Sequence, residues 1–238
     1  MPRTARIVVP GIAHHVTQRG NRRQQTFFEI TDYARYVDLV AEGCRDADVE
    51  VLAWCLMPNH VHLVLRPRTV DGLTEALSVA HQRYTWVVNR RKGWQGHLWR
   101  SRFYSCPLDD ALLRIAVRYV ELNPLRARLV ATPDAWRWSS AEGRMTGRGD
   151  ALVKSERPVE LRDIADWRAF LAQGIDDEAA ERLRTHERKG LALGNDAFVA
   201  QVEAETGRNL RRRPRGRPLR REMVGSAILP FRPPRPSE

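Results

Sequence analysis

Two histidines one residue apart, His60 and His62 in the stretch MPNHVHLVL (57–65), have types and spacing that suggest chemistry. In an extended strand, residues i and i+2 project to the same side, so the two imidazoles can converge on one metal ion. Neutral imidazole is a common ligand of transition ions. The same pair would serve equally well as hydrogen-bonded core or surface histidines. His14 and His15 form a second pair, but adjacent strand residues face opposite sides, so only one of them can join the first. A reaction also needs a group that attacks. Tyr119 and Asn123 lie four apart in DDALLRIAVRYVELN (109–123), stacked on one helical face. A phenol of pKa ~10 is a weak nucleophile at neutral pH. A neighbouring cation that stabilises phenolate and withdraws charge from a phosphoryl oxygen makes it a competent one, and Asn123 could offer its amide oxygen to that cation. Against this, Leu112, Ile115, Ala116 and Tyr119 form an apolar stripe in which a tyrosine ordinarily serves the core. An Asn before Pro124 ordinarily marks a helix end.

A third feature is the mixture of arginine and aromatic residues in RYTWVVNRRKGWQGHLWRSRF (83–103). Arg83, Arg90, Arg91, Lys92, Arg100 and Arg102 interleave there with Tyr84, Trp86, Trp94, Trp99 and Phe103. Cations can track a phosphate backbone while exposed rings stack on unpaired bases, the usual recipe for binding single strands. The plainer reading puts Tyr84 and Trp86 in the core and leaves the arginines solvated.

The totals point the same way. Among 238 residues, 40 Lys and Arg face 29 Asp and Glu, a formal charge of +11. Such a balance favours a polyanionic partner, since each neutralised phosphate releases condensed counterions. A codon bias toward arginine would raise the charge evenly, without clustering it. With 42% hydrophobic residues the chain can build a core. No apolar run of about 18 residues and no signal peptide is apparent, which predicts no membrane association and a cytoplasmic protein. Cys44, Cys55 and Cys106 have neither disulfide-framework nor zinc spacing and read as reduced, buried thiols.

The elements that must position these residues can be read from periodicity. Residues 12–19 alternate as a strand and end in the basic turn Arg19-Gly20-Asn21-Arg22-Arg23, where Gly and Asn tolerate positive φ. A helix runs from Asp32, with Tyr33, Tyr36, Val37, Val40 and Ala41 at helical spacing. Strands over 49–56 and 60–66 are joined by the tight turn Met57-Pro58-Asn59, with Val61, Leu63 and Leu65 on one face and His60, His62, Val64 and Arg66 on the other. A long helix over 73–91, a short strand near 102–106, and a helix from Asp109 that Pro124 ends or kinks follow. This order predicts an α+β fold, a ferredoxin-like split βαβ sandwich with an antiparallel sheet. A boundary near 145–153 precedes two helices, 176–189 and 196–206, with Asn195 as N-cap and Gly207 as stop. The organisation is thus a domain over 1–147 that carries the candidate catalytic residues, a helical C-terminal extension over 148–207, and an Arg/Pro-rich tail over 208–238. The stretch 208–221 alone carries eight arginines and no acid.

Taken together, HHVTQRGN, MPNHVHLVL, GHLWRSRF and RYVELNPLRARLV resemble the REP-associated tyrosine transposases, over roughly residues 5–145. These are bacterial insertion-sequence transposases with a His-hydrophobic-His motif and one catalytic tyrosine. LGNDAFVAQVEAETGR followed by RRRPRGRP resembles their C-terminal extension. The resemblance implies a ferredoxin-like fold, Mg²⁺ or Mn²⁺ held by His60, His62 and Asn123, and Tyr119 as nucleophile. It further implies attack on single-stranded hairpin DNA of the REP palindrome type, with unpaired nucleotides at the foot. A 5′-phosphotyrosine link and a free 3′-OH would result, and rejoining would need no ATP. Arg19, Asn21, Arg22, Arg23 and Arg102 become candidate DNA contacts, beside Arg90, Arg91, Lys92, Trp94 and Arg100 from the mixed segment. The family usually has Val at Leu125 and Gly at Arg128. Two other readings stand beside this one, a catalytically silent hairpin-DNA-binding protein and a metal-dependent hydrolase using water. Monomer and homodimer are both compatible with the sequence.

Overall fold

The computed structural model describes residues 5–210, so all of the Arg/Pro-rich tail beyond Leu210 lies outside the described residues. The chain is a mixed α/β fold built on one four-stranded antiparallel sheet. The strands are β1 (His14–Arg19), β2 (Val49–Met57), β3 (His60–Pro67) and β4 (Tyr104–Pro107), in the order β2-β3-β1-β4. The β2–β3 hairpin closes through Pro58 and Asn59, with Met57 paired to His60. β1 lies against β3 so that Thr17 faces His62 and Arg19 faces His60.

Two helices cover one side of the sheet. α1 (Ile30–Asp46) starts two residues earlier than its apolar spacing suggested. Asp32 sits in its first turn, accepting from the backbone N–H groups of Phe28 and Glu29, and so satisfies donors that a helix start otherwise leaves open. α2 (Gly72–Lys92) buries the expected stripe of Leu73, Leu77, Ala80, Tyr84 and Val88. The two helices approach closely at Gly43, where a Cβ would lie 2.2 Å from the carbonyl oxygen of Ala76. Val16, Trp54, Leu56, Val61, Leu63 and Leu65 supply the sheet's share of this core.

On the other side, α3 (Asp110–Arg126) packs across β2 and β3. Asp109 caps it by accepting from Leu112 N–H at 2.9 Å. The helix continues through Pro124 to Arg126, because a proline this near the C-terminus gives up a single internal hydrogen bond. β2 contains a register shift between Val51 and Ala53. As a result Leu52 and Ala53 both turn toward α3, while Val51 and Trp54 turn toward α1 and α2. The α3 side is completed by α4 (Ala141–Thr146), α5 (Trp167–Ala172) and α6 (Asp177–Lys189). Trp167, Phe170, Ala180 and Leu183 share its core with Ala116, Val120 and Tyr119. α7 (Asp196–Thr206) is capped by Asn195 and stopped by Gly207 in the left-handed region, and its Val202 packs with Ile7, Val9 and Leu210. Among the described residues, no helix is long and apolar enough to cross a membrane.

Candidate active site

Strand alternation puts His15, Thr17 and Arg19 of β1 on the same side of the sheet as His60 and His62 of β3, facing α3. The four aromatic groups meet there. His15 and His62 stack with centroids 5.3 Å apart and planes within 3°, and His15 Nε2 lies 3.1 Å from His62 Nδ1. His60 sits edge-on to His62 at 4.9 Å. Tyr119 comes down from α3 edge-on to both His62 at 5.5 Å and His15 at 5.8 Å. His62 and Tyr119 are nearly closed off, at 4% and 5% exposure, while His60 at the strand end is half-buried.

Burial governs the protonation of the cluster. It pushes His15 down to about 4. His60 goes down to about 3, chiefly through burial and further through the positive charge of Arg19. His62 is driven well below its ordinary value by burial, then by the fields of His60, His15 and Arg19. All three rings are therefore neutral near pH 7, the form that binds a metal. His60 Nδ1–H donates to Asn59 Oδ1 at 2.6 Å, and His62 Nδ1 is engaged by His15. That leaves Nε2 of each ring as the atom that could ligate a metal, the usual arrangement in which a second partner fixes the tautomer. Among the described residues, no group of three or more His, Cys, Asp or Glu could hold a metal ion. Asn123, one turn beyond Tyr119, donates its amide N–H back to the Tyr119 carbonyl at 2.8 Å and keeps Oδ1 as its acceptor end. A pair of imidazoles with an amide oxygen is a mixed nitrogen and oxygen donor set that a divalent transition ion accepts, with water completing its shell.

The basic turn borders the site. Asn21–Arg23 forms a single 3-10 turn, and positive φ falls on Arg22 (51°) and Arg23 (63°) rather than on the Gly-Asn pair, Gly20 having φ −56°. Gly20 is needed for a different reason: a Cβ there would lie 2.3 Å from the carbonyl oxygen of Gln24. The turn is held to the β2–β3 hairpin beside His60. Gly20 N–H donates to the Asn59 carbonyl at 2.9 Å, and the Asn59 amide donates to the Arg23 carbonyl at 3.0 Å. Left-handed arginines are costly, and such conformations gather where function needs them. The segment after α2 joins the same edge: Asn21 N–H bonds to Leu98 O, Arg100 N–H to Arg19 O, and the Gln18 amide to Ser101 O. Arg22, Arg23, Arg100 and Arg102 are exposed along it.

The end of α2 is more committed to the protein itself. Arg91 pairs with Asp32 at 2.7 Å and Glu29 at 3.4 Å. Lys92 lies over the Phe28 ring, Trp94 meets the same ring edge-on, and Arg90 covers Trp86. Tyr84 and Trp99 are core, whereas Trp86 is exposed. Two residues of the site were not singled out by the sequence. His15 was one of two candidates on β1, and only the register of β1 on β3 decides between them. Arg184, on α6, lies within electrostatic reach of Tyr119, a relation across 65 residues of chain that carries no local signal.

A His-x-His strand thus faces a helix-borne tyrosine on an antiparallel sheet edged with arginine, in a mixed α/β fold. The family described as "Transposase IS200 like" matches residues 8–123, which contain β1 to β4 and most of α3. A Haemophilus influenzae protein named as a REP-associated tyrosine transposase is 24% identical over 123 residues, covering 47% of this chain and 70% of that protein. The fold is shared with a solved REP-associated tyrosine transposase bound to a REP hairpin. The TM-score is 0.53 at 20% identity, over 69% of this chain and 96% of the other.

Proposed function

We propose that this chain cleaves and rejoins single-stranded hairpin DNA of the REP type through a covalent link to Tyr119. The observation that carries the reading is the meeting of Tyr119 with His62 and His15 on a sheet face whose rim is the arginine turn. The H. influenzae relative and the hairpin-bound structure agree with it. The strand order β2-β3-β1-β4, with α1 and α2 on one side, supports a ferredoxin-like split βαβ core to which α3 and the later helices add a layer. On this reading 1–147 is the catalytic part and 148–207 an extension packed upon it.

In the reaction, Tyr119 Oη bonds to a backbone phosphorus and the P–O3′ bond breaks. The phenolic proton passes to water and the 3′ oxygen takes one from water, leaving a 5′-phosphotyrosine and a 3′-OH. The energy of the phosphodiester is retained in that link, so the reverse step joins the strand to a new 3′-OH. His60 and His62, with Asn123 Oδ1, would hold Mg²⁺ or Mn²⁺, which when bound withdraws charge from the scissile phosphate. His15 and Asn59 keep those rings aimed. Arg19, Asn21, Arg22, Arg23, Arg100 and Arg102 would take the phosphates and foot nucleotides, and Arg90 to Lys92 with Trp94 would extend that surface.

The test uses end-labelled hairpins, as single strands and as duplexes, with Mn²⁺ or Mg²⁺. A denaturant-resistant protein–DNA band on single strands only, lost in Tyr119→Phe while hairpin binding survives, is the expected result. Cleavage without a band would shift the nucleophile to water. Binding without either would leave a silent hairpin-binding protein.

A further inference from the structure

Two residues past Tyr119, α3 carries a fully buried carboxylate, Glu121. At 3.6 residues per turn the two side chains leave the helix about 200° apart, on opposing flanks. Tyr119 turns to His62 and His15, whereas Glu121 turns to the edge strand β2 and the helices beyond it. Both oxygens of Glu121 are taken. Ser140 Oγ donates to Oε1 at 2.6 Å and Trp167 Nε1 donates to Oε2 at 2.7 Å, and both donors are buried. Ser140 is tied in turn to the sheet. Its N–H donates to Trp54 O at 3.0 Å, and Trp54 N–H donates to its Oγ at 3.1 Å. Trp54 precedes Cys55, the residue that pairs with His62. A continuous chain of hydrogen bonds therefore links the helix of the tyrosine to the strand beside the histidine. Trp167, which opens α5, brings the stretch after residue 147 into the same joint. Its ring lies 5.3 Å from the Arg144 guanidinium, and Arg144 Nη2 donates to Leu52 O at 2.8 Å, again on β2.

We propose that Glu121 is a positioning residue of the tyrosine reaction: the Ser140–Glu121–Trp167 joint fixes the slide and rotation of α3 on the sheet, and so sets where Tyr119 Oη meets the phosphate. This rests on the reading of Tyr119 as nucleophile and deepens it. Apolar packing holds a helix against a sheet but is not directional, whereas hydrogen bonds lose strength steeply with distance and angle. A slide of one residue along the axis, about 1.5 Å, would carry Tyr119 off His62 and break both bonds of Glu121. Broken bonds at a buried carboxylate and a buried indole N–H are costly, so the joint selects one placement of the helix. One of its two donors comes from the C-terminal extension, which thereby helps to place a nucleophile that it does not carry.

The experiment uses the full chain with Mn²⁺ and a labelled hairpin in single-turnover reactions, comparing wild type, Trp167→Phe, Glu121→Ala, Glu121→Gln and Tyr119→Phe. The readouts are the rate constant of adduct formation at saturating hairpin, the final fraction of protein linked, the hairpin concentration giving half the maximal rate, and the melting temperature. A chain that is only less stable loses linked fraction at an unchanged rate constant, whereas a displaced tyrosine reacts more slowly in every folded molecule. Trp167→Phe keeps a ring but loses the N–H, and should lower the rate constant by about 10–100-fold, as for a reacting group misplaced by about 1 Å. Glu121→Ala should lose at least as much. Glu121→Gln, whose amide oxygen still accepts from Trp167, should recover at least about tenfold of the Glu121→Ala loss. The half-saturating hairpin concentration should stay at the wild-type value. Should Glu121→Ala fail to fold, Trp167→Phe decides. An unchanged rate constant in Trp167→Phe overturns the proposal. So does a loss confined to linked fraction and melting temperature, or to the half-saturating concentration, which would make the joint a matter of stability or of binding. Adduct formation by Tyr119→Phe, or none by wild type, removes the reading of Tyr119 and the proposal with it. A wild-type adduct that Tyr119→Phe lacks, with Trp167→Phe at the wild-type rate, leaves Tyr119 standing and Glu121 an ordinary core residue.

Discussion

His15 is not itself a proposed metal ligand, yet the geometry makes it decisive for His62. Its ring lies parallel to His62 and its Nε2 meets His62 Nδ1 at 3.1 Å in a fully buried setting. Two variants separate the contributions. His15→Phe keeps an aromatic ring for the stack but leaves His62 Nδ1 with nothing to bond, which in a buried site costs about 1–3 kcal/mol. His15→Gln forgoes the stack but carries an amide that can reach a ring nitrogen. Loss of such an outer partner typically weakens metal binding about 10–100-fold, or about 1.4–2.8 kcal/mol. Calorimetric titration with Mn²⁺ should therefore show the larger loss for His15→Phe and a smaller one for His15→Gln, with adduct formation at low Mn²⁺ following the same order. Saturating Mn²⁺ should restore most of the rate, since the defect lies in holding the ion. Unchanged Mn²⁺ affinity in a folded His15→Phe variant would refute the reasoning, for His62 would then need no partner to present Nε2.

Three further predictions test the fold around the site. Gly43→Ala should lower stability by about 1–3 kcal/mol, read as a fall in the denaturation midpoint, because the Cβ meets the Ala76 carbonyl oxygen. That sign opposes the gain of about 1 kcal/mol expected from helix propensity alone. Arg128→Gly should raise stability by about 0.5–1 kcal/mol, since this exposed residue follows α3 at φ 57° in the left-handed region. Acidification should unfold the protein: burial holds His14 and His15 at about 4 in the native state, against ~6.5 when unfolded. The native state then binds fewer protons between pH 6.5 and 4, so each histidine removes up to about 3 kcal/mol as pH falls through that window. Glu121, buried and pushed up to about 7, acts with the opposite sign and adds stability as pH falls toward 4.5. Urea midpoints from pH 7.5 to 4.5 should drop, and drop more steeply in Glu121→Gln.

What could be read from the chain divides along the range of the forces involved. The faces of β3 were legible because alternation is local: Val61, Leu63 and Leu65 do fill one core while Val64 fills the other. The helices of residues 30–46 and 72–92 were legible for the same reason, as were Asn195 and Gly207 at the ends of α7. In β2 the alternation breaks at Leu52 and Ala53, and nothing in VEVLAWCLM distinguishes that register shift from a regular strand. The placement of α3 on the sheet face opposite α1 and α2 was beyond local pattern too, and with it the meeting of Tyr119 and His62. An apolar stripe says that a helix is buried without saying against what. The turn at 20–23 shows how a correct composition can mislead about mechanism. Gly20 reads as a source of positive φ, yet it serves to let the chain pass close to Gln24, and the left-handed residues are the arginines that follow. Arg184 is the extreme case, one basic residue in the charged helix DEAAERLRTHERK. Its neighbours Ala180 and Leu183 bury in the core that contains Tyr119, and that packing alone brings a solvent-exposed side chain within electrostatic reach of the tyrosine. The chemistry of such a site is thus written in residue types, but its assembly depends on which buried faces meet, and those are settled by the long-range packing of the whole domain.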